Sequence, residues 1–133
     1  MNAVLLDTHA WAWSLTADSR LTARAVTVIQ QADAVLVSPI SLFEIGQKVR
    51  LGKWPEMQPY IHGLAELLER QGGRTVALTP DVCLKASTMD WAHRDPFDRL
   101  IAATAMANGL PLISADTVFD GLSTDQRWIA RLW

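Results

Sequence analysis

The stretch Val4-Leu5-Leu6-Asp7 decides the fold, because a short apolar run ends at an acid and a helical pattern follows it over residues 9–15. Similar apolar runs occur at 34–37, 75–78 and 111–113, with a fifth near 128–130. Further helical patterns cover 20–32, 39–51, 56–71, 80–91 and 97–108. Strands that alternate with helices predict parallel pairing through crossovers. We therefore expect an α/β three-layer sandwich, with a central, mostly parallel sheet flanked by helices.

Composition limits the class of protein. The chain has 133 residues, 12 Lys and Arg against 14 Asp and Glu, and 50% hydrophobic residues. This is too apolar for a disordered segment, and no linker-like tract divides it, so we expect one domain over residues 1–133. The lone Cys83 cannot form an internal disulfide. No apolar run is long enough to span a membrane, and no signal peptide is evident, so we expect a soluble, cytoplasmic protein.

Four carboxylates occupy places where a parallel sheet binds ligands, beyond the carboxyl ends of its strands. Asp7 follows the first strand, and Asp116 follows the fourth. Glu44 lies about two turns into the helix after the second strand, and Asp98 lies in the first turn of the helix opened by Asp95-Pro96. These acids come from distant parts of the chain and are expected to converge at one edge of the sheet.

Each acid also has a purely structural interpretation. Asp7, Asp116 and Asp95 are plausible helix N-caps. Glu44 precedes Lys48 by four residues, the spacing of a surface ion pair. Asp98 is harder to explain in this way, because its helical neighbours at i+3, i+4 and i+7 form an apolar stripe. A carboxylate placed there requires a cationic partner.

Carboxylates gathered in one pocket repel each other unless a cation joins them. Sites made of oxygen ligands suit hard divalent ions such as Mg²⁺ or Mn²⁺, which can promote phosphodiester hydrolysis. Other chemistries fit less well, since the chain has no P-loop, no G-x-G-x-x-G and no G-x-S-x-G. The six Trp residues are interpreted mainly as core or interface residues.

Four blocks of the sequence, in order and spacing, resemble the PIN-domain ribonucleases and specifically the VapC-type toxins. Together they span nearly the whole chain. The blocks are Leu5-Leu6-Asp7-Thr8-His9-Ala10-Trp11, Ser38-Pro39-Ile40-Ser41-Leu42-Phe43-Glu44-Ile45, His93-Arg94-Asp95-Pro96-Phe97-Asp98-Arg99-Leu100-Ile101-Ala102 and Leu112-Ile113-Ser114-Ala115-Asp116.

The resemblance implies a PIN-like fold in which Asp7, Glu44, Asp98 and Asp116 occupy the acidic metal-binding and catalytic positions. It also implies an endoribonuclease that depends on Mg²⁺ or Mn²⁺, forms a homodimer and is inhibited by a VapB-type antitoxin. Ser114 stands where the family often has Thr, which keeps the hydroxyl. Asp95 falls in a matched block as a further acid near the metal.

The resulting hypothesis is that one or two Mg²⁺ ions align water for in-line attack on an RNA phosphodiester and stabilise the departing 3′ oxygen. Candidate phosphate or substrate contacts are Arg94, Arg99, Lys48, Ser114 and Thr8. Two alternatives remain open at this stage. One is a receiver-like Mg²⁺-binding signalling module, which is also an α/β sandwich with an acidic pocket. The other is a catalytically inactive PIN fold that only binds.

Overall fold

The computed structural model describes residues 2–133 and contains a five-stranded sheet. Every pair of neighbouring strands is parallel, and the order across the sheet is β3-β2-β1-β4-β5. The sheet with its flanking helices confirms the predicted fold class. The strands are β1 (Ala3–Leu6), β2 (Ala34–Val37), β3 (Arg74–Thr75), β4 (Leu112–Ile113) and β5 (Arg131–Leu132).

The helices agree with the predicted pattern, except between residues 55 and 70. There a 3₁₀ helix, Pro55–Gly63, precedes a separate short α-helix, and Pro59 inside the 3₁₀ segment lacks the N–H that a continuous α-helix needs. A second 3₁₀ helix covers Thr117–Leu122. No helix within residues 2–133 has the length and apolar character to cross a bilayer. The α-helices are α1 (Thr8–Thr16), α2 (Ala23–Gln31), α3 (Pro39–Arg50), α4 (Leu64–Arg70), α5 (Pro80–Thr88) and α6 (Pro96–Asn108).

The two edge strands are shorter than predicted or displaced. The third strand was expected at 75–78, but only Arg74 and Thr75 pair with β2, and one further hydrogen bond joins the Val76 N–H to the Val37 carbonyl. The fifth was expected near 128–130, yet the β4 ladder begins where the Leu112 N–H bonds the Ala130 carbonyl. The fifth strand therefore starts after the predicted run.

Two hydrophobic layers lie on opposite faces of the sheet, because the side chains of β1 alternate between these faces. Side chains at successive strand positions point to opposite faces of a sheet. One face of β1 and the helices packed on it form a core that includes Val4, Leu6, Trp11, Ile45 and Met57. The other face packs under α6, with Leu5, Ile101, Ala102, Met106 and Phe119.

The strand order locates the ligand-binding edge of the sheet. Because the connections run outward from β1 in both directions, the order reverses between β1 and β4, and the carboxyl ends of these strands flank a crevice. Receiver-like folds have the order 2-1-3-4-5, whereas the order here is 3-2-1-4-5. The receiver-like alternative is therefore wrong.

Arg99 holds the loop between α5 and α6 in place. Four of the five guanidinium N–H groups donate to backbone carbonyls, at distances of 2.5 to 2.8 Å. These carbonyls belong to Ala86, Met89, Trp91 and His93. A rigid planar fork is suited to satisfying several carbonyls of an irregular segment at once. The side chain thus determines the path of the loop that precedes α6.

Replacing Arg99 by Met is expected to lower the free energy of unfolding by about 3 kcal/mol, because four buried or half-buried carbonyls lose a charged donor. Urea denaturation measures the change. Arg99→Lys should recover only part of it, since one ammonium cannot reach four carbonyls.

Arg127→Met is the matched control, because the Arg127 guanidinium only pairs with the neighbouring Asp125 at the surface. Its loss should cost about 0.5 kcal/mol or less. Equal effects of the two substitutions would contradict the role assigned to Arg99.

Candidate metal centre

An open pocket of about 430 Å³ lies at the carboxyl ends of β1 and β4. All four of the acids predicted to bind metal line it, although they come from four separate segments of the chain. Asp95, Thr8 and Lys48 also lie on its wall. The lining residues are Asp7, Thr8, His9, Trp13, Arg20, Glu44, Lys48, Asp95, Asp98, Ala115 and Asp116.

Asp7 is one of two enclosed acids in the pocket, with 7% of its surface exposed. It is the N-cap of α1, and its Oδ1 accepts the Ala10 N–H at 2.8 Å, while Oδ2 accepts the Ser114 hydroxyl. Burial raises the pKa of Asp7 to about 6, and the charges of Asp98 and Glu44 add to the rise, against the opposing effect of both hydrogen bonds. The pocket therefore resists the ionisation of Asp7 until positive charge enters it.

The hydroxyls of Ser114 and Thr8 are engaged inside the protein. Ser114 is fully buried, and its hydroxyl donates to Asp7 and accepts the Asp116 N–H at 3.0 Å. Thr8 is 2% exposed, and its Oγ1 lies 2.9 Å from the Ser41 hydroxyl. The prediction that Ser114 contacts substrate is therefore corrected, because its hydroxyl holds two acids of the pocket in place.

Asp98 has a hydrogen-bond partner in His93, a residue whose role could not be decided from the sequence. His93 Nε2 lies 2.7 Å from Asp98 Oδ2. Burial raises the pKa of Asp98, and the negative charges of Asp95 and Glu44 raise it further. The hydrogen bond from His93 has the opposite effect. Asp95 is the N-cap of α6, where its Oδ1 accepts the Phe97 N–H at 2.8 Å. A signal for His93 was its place in the same sequence block as Asp98.

Glu44 and Asp116 complete the acidic wall. Glu44 is 7% exposed on α3, and its Oε2 lies 2.9 Å from Lys48 Nζ. Their ion pair lies on the pocket wall, so the i,i+4 spacing does not mark a solvated helix surface here. Asp116 is exposed and caps the second 3₁₀ helix by accepting the Val118 N–H. The N-cap interpretations of Asp7, Asp95 and Asp116 are thus correct, and the same side chains also face the pocket.

Arg94 and Arg99 do not line the pocket. Both border a separate groove between α5 and α6, beside Cys83 and Leu100. The guanidinium of Arg99 is committed to backbone carbonyls of the preceding loop. The predicted phosphate contact of Arg99 is therefore corrected, that of the exposed Arg94 stays a prediction, and Lys48 is the predicted cation that lies on the pocket wall.

An aromatic rim adjoins the acidic wall and was not predicted. The exposed His9 ring stacks on Trp54, with centroids 4.7 Å apart, and Trp13 lies tilted against it at 5.6 Å. The guanidinium of Arg20 lies 4.8 Å from the Trp13 ring centre. Desolvation among these rings lowers the pKa of His9, and the nearby charge of Lys48 lowers it further.

The donor set fits a hard divalent cation. Carboxylate oxygens are the ligands that Mg²⁺ and Mn²⁺ prefer. Within residues 2–133, the group whose ligand atoms all come within 4.8 Å of one another is His93, Asp95 and Asp98. Asp7, Glu44 and Asp116 lie outside this group but line the same pocket, where Glu44 is paired with Lys48.

Comparisons with known proteins agree with this architecture. The family model of the PIN domain matches residues 4–124. Ribonuclease VapC22 of Mycobacterium tuberculosis is 35% identical over 117 residues, which cover 87% of this chain and 88% of that protein.

Two solved structures share the fold at 15% sequence identity. VapBC2 from Rickettsia felis, bound to a DNA fragment from its promoter, superposes with a TM-score of 0.69 and covers 98% of this chain and 99% of that one. A toxin–antitoxin complex from Klebsiella pneumoniae gives a TM-score of 0.60, with 95% of each chain covered. Because the PIN family model matches most of the chain and VapC22 is 35% identical to it, the chain belongs to the PIN domain family and, within it, to the VapC-type proteins.

Proposed function

We propose that the chain is a divalent-metal-dependent endoribonuclease and the toxin of a VapBC-type pair. The observation that carries this proposal is the convergence of Asp7, Glu44, Asp98 and Asp116 on one pocket at the sheet's switch point, in a VapC-type chain. RNA is proposed as the substrate because the relative with 35% identity is a ribonuclease.

The four acids are the proposed ligands of one or two Mg²⁺ ions, with Mn²⁺ as a substitute. Asp7 and Asp98 support this assignment, because the pKa of each is raised in a pocket that also contains Glu44. A bound cation would favour their ionised forms. When bound, such an ion supplies Lewis acidity toward a phosphate oxygen and promotes the ionisation of water.

The protein's own groups hold the carboxylates in place for this reaction. The Ser114 hydroxyl and the Ala10 N–H orient Asp7, and His93 orients Asp98. Water attacks phosphorus and gives up one proton, the bond from phosphorus to the 3′ oxygen breaks, and that oxygen takes up one proton and leaves as a hydroxyl. Lys48, on the pocket wall, is the proposed contact for a phosphate oxygen of the substrate.

The proposed partners follow from the structural neighbours, which are complexes of toxins with antitoxins. We infer that a VapB-type antitoxin binds this chain, that the chain forms a homodimer, and that it acts on RNA in the cytoplasm. A PIN fold that binds RNA without cleaving it is the second candidate, and the cleavage experiment below distinguishes the two.

Asp98→Asn is expected to lower the rate of RNA cleavage by roughly 100-fold or more, because the proposed site loses a charged ligand while the side-chain shape is kept. The measurement is cleavage of labelled single-stranded RNA by the purified protein with Mg²⁺, with Mn²⁺ and with EDTA.

The matched control is Asp81→Asn, since Asp81 is an exposed acid in the first turn of α5 and does not line the acidic pocket. It should leave the rate unchanged. Full metal-dependent activity of Asp98→Asn would refute the site assignment. RNA binding without cleavage by the wild-type protein would support the second candidate.

The stability of the metal-free protein should fall as pH rises from about 4 to 7. The pKa of Asp7 is 3.8 in the unfolded chain and about 6 in the folded protein, so the folded state binds the proton more tightly and ionisation costs up to about 3 kcal/mol. Asp7→Asn removes this cost. In EDTA at pH 7.5 the variant should melt at a higher temperature than the wild type, and the gain should disappear near pH 4.

Mg²⁺ should raise the melting temperature of the wild type at pH 7.5 and raise that of Asp7→Asn less, because binding to the folded state stabilises it. Differential scanning fluorimetry measures both effects. A wild-type melting temperature that responds to neither Mg²⁺ nor Mn²⁺ would count against the metal site.

A further inference from the structure

The aromatic rim connects the acidic pocket to a second pocket. His9, Trp13, Arg20 and Lys48 line both of them. The second pocket has a volume of about 320 Å³, and Lys53, Trp54 and Glu56 also border it, so three cations on its wall outnumber a single acid. The two pockets therefore form one continuous groove, which is acidic at one end and aromatic and basic at the other.

The rings of this rim are held firmly in place. Trp54 is 9% exposed and supports the His9 ring from below, while Lys48 Nζ lies 5.5 Å from the Trp54 ring centre. Trp13 is half-buried and packs at a tilt against Trp133, with centroids 5.8 Å apart. The His9 side chain itself is exposed. It therefore offers a flat, preorganised ring at the mouth of the acidic pocket.

Core packing accounts for Trp54, which belongs to the buried core, but not for His9 and Trp13. Trp11, two residues from His9, is fully buried in the core beneath the sheet, as an aromatic residue of α1 would be expected to be. His9 and Trp13 lie four residues apart on the same helix and therefore share one face, which borders the groove.

Cations lie along the same end of the groove. Arg20 is exposed over Trp13 and pairs with Asp18, while Lys53 is exposed and has no ion pair within residues 2–133. A groove that combines cations with aromatic faces is the arrangement by which proteins bind single-stranded nucleic acid, because every base has a face that can stack.

We propose that His9 and Trp13 form a stacking platform for an unpaired RNA base next to the cleaved phosphate, with Arg20 and Lys53 contacting the neighbouring backbone phosphates. This inference rests on the proposed function, since it requires an RNA strand whose scissile phosphate lies at the acidic end of the groove. The platform accepts any base, and its stacking energy contributes to substrate affinity rather than to metal binding.

The test measures binding of a short, unstructured, fluorescently labelled RNA by anisotropy, in Mg²⁺ and in an Asp98→Asn background whose lack of cleavage is checked on a gel. His9→Ala should weaken binding about 10-fold, within the range for loss of one stacked base. His9→Gln should weaken it equally, because it keeps a polar group without a ring. His9→Phe should bind within about twofold of the parent.

Trp13→Leu is a second variant that removes a ring of the platform while keeping an apolar side chain, and it should also weaken binding. His62→Ala is the matched control, since His62 is exposed on the 3₁₀ helix and lines neither pocket. Melting temperatures of all variants confirm that each remains folded.

The outcomes separate the platform from the proposed function. If the wild-type protein cleaves RNA but His9→Ala and Trp13→Leu bind as tightly as the parent, the platform is refuted and the proposed function stands. If His9→Phe binds as weakly as His9→Ala, stacking is refuted. A wild-type protein that neither cleaves nor binds RNA refutes the proposed function, and the platform with it.

Discussion

The parallel pairing of β1 with β2 on one side and with β4 on the other is the constraint on which the site depends. Leu6 lies opposite Val37 in one ladder and opposite Ile113 in the other, so three strands end at the same edge of the sheet. The residue after β1 is Asp7 and the residue after β4 is Ser114, and the hydrogen bond between them joins the two strand ends across 107 positions of sequence. The helices that carry Glu44 and Asp98 are placed relative to this junction.

A pocket that gathers carboxylates opposes folding, and the structure limits this cost with a side-chain partner for each enclosed acid. Asp7 has the Ser114 hydroxyl, Asp98 has His93, and Glu44 has Lys48. His93 depends in turn on Arg99, which binds its carbonyl, so the acidic wall is connected to the loop before α6.

The strands and helix starts that depend on a local pattern of apolar and capping residues could be predicted from the sequence. The run Val4-Leu5-Leu6 and the run at 34–37 are long enough to mark buried strands, and Asp95 before Pro96 marks the start of a helix. The edge strands were misplaced because each is short, begins with an arginine and is not buried, whereas the equally short β4 is apolar and buried.

Contacts distant in sequence, or made with the backbone, were the main source of error at the site. Arg99 looked like a phosphate ligand because it follows Asp98, yet its partners are carbonyls of an irregular loop, which carry no side-chain signal. The aromatic rim was missed because Trp54 comes from a segment more than 40 residues after His9. The topology could be inferred from the chain alone, whereas these pairings could not.

The shortness of β3 and β5 has a consequence for the behaviour of the protein at high concentration. Each outer strand offers only two residues of ladder, Arg74–Thr75 on one side and Arg131–Leu132 on the other, and each begins with an arginine. Arg131 is further tied to Asp120 by its guanidinium. A short edge strand with a charged residue offers few backbone groups to a strand of another molecule, so we expect the protein to resist edge-to-edge aggregation.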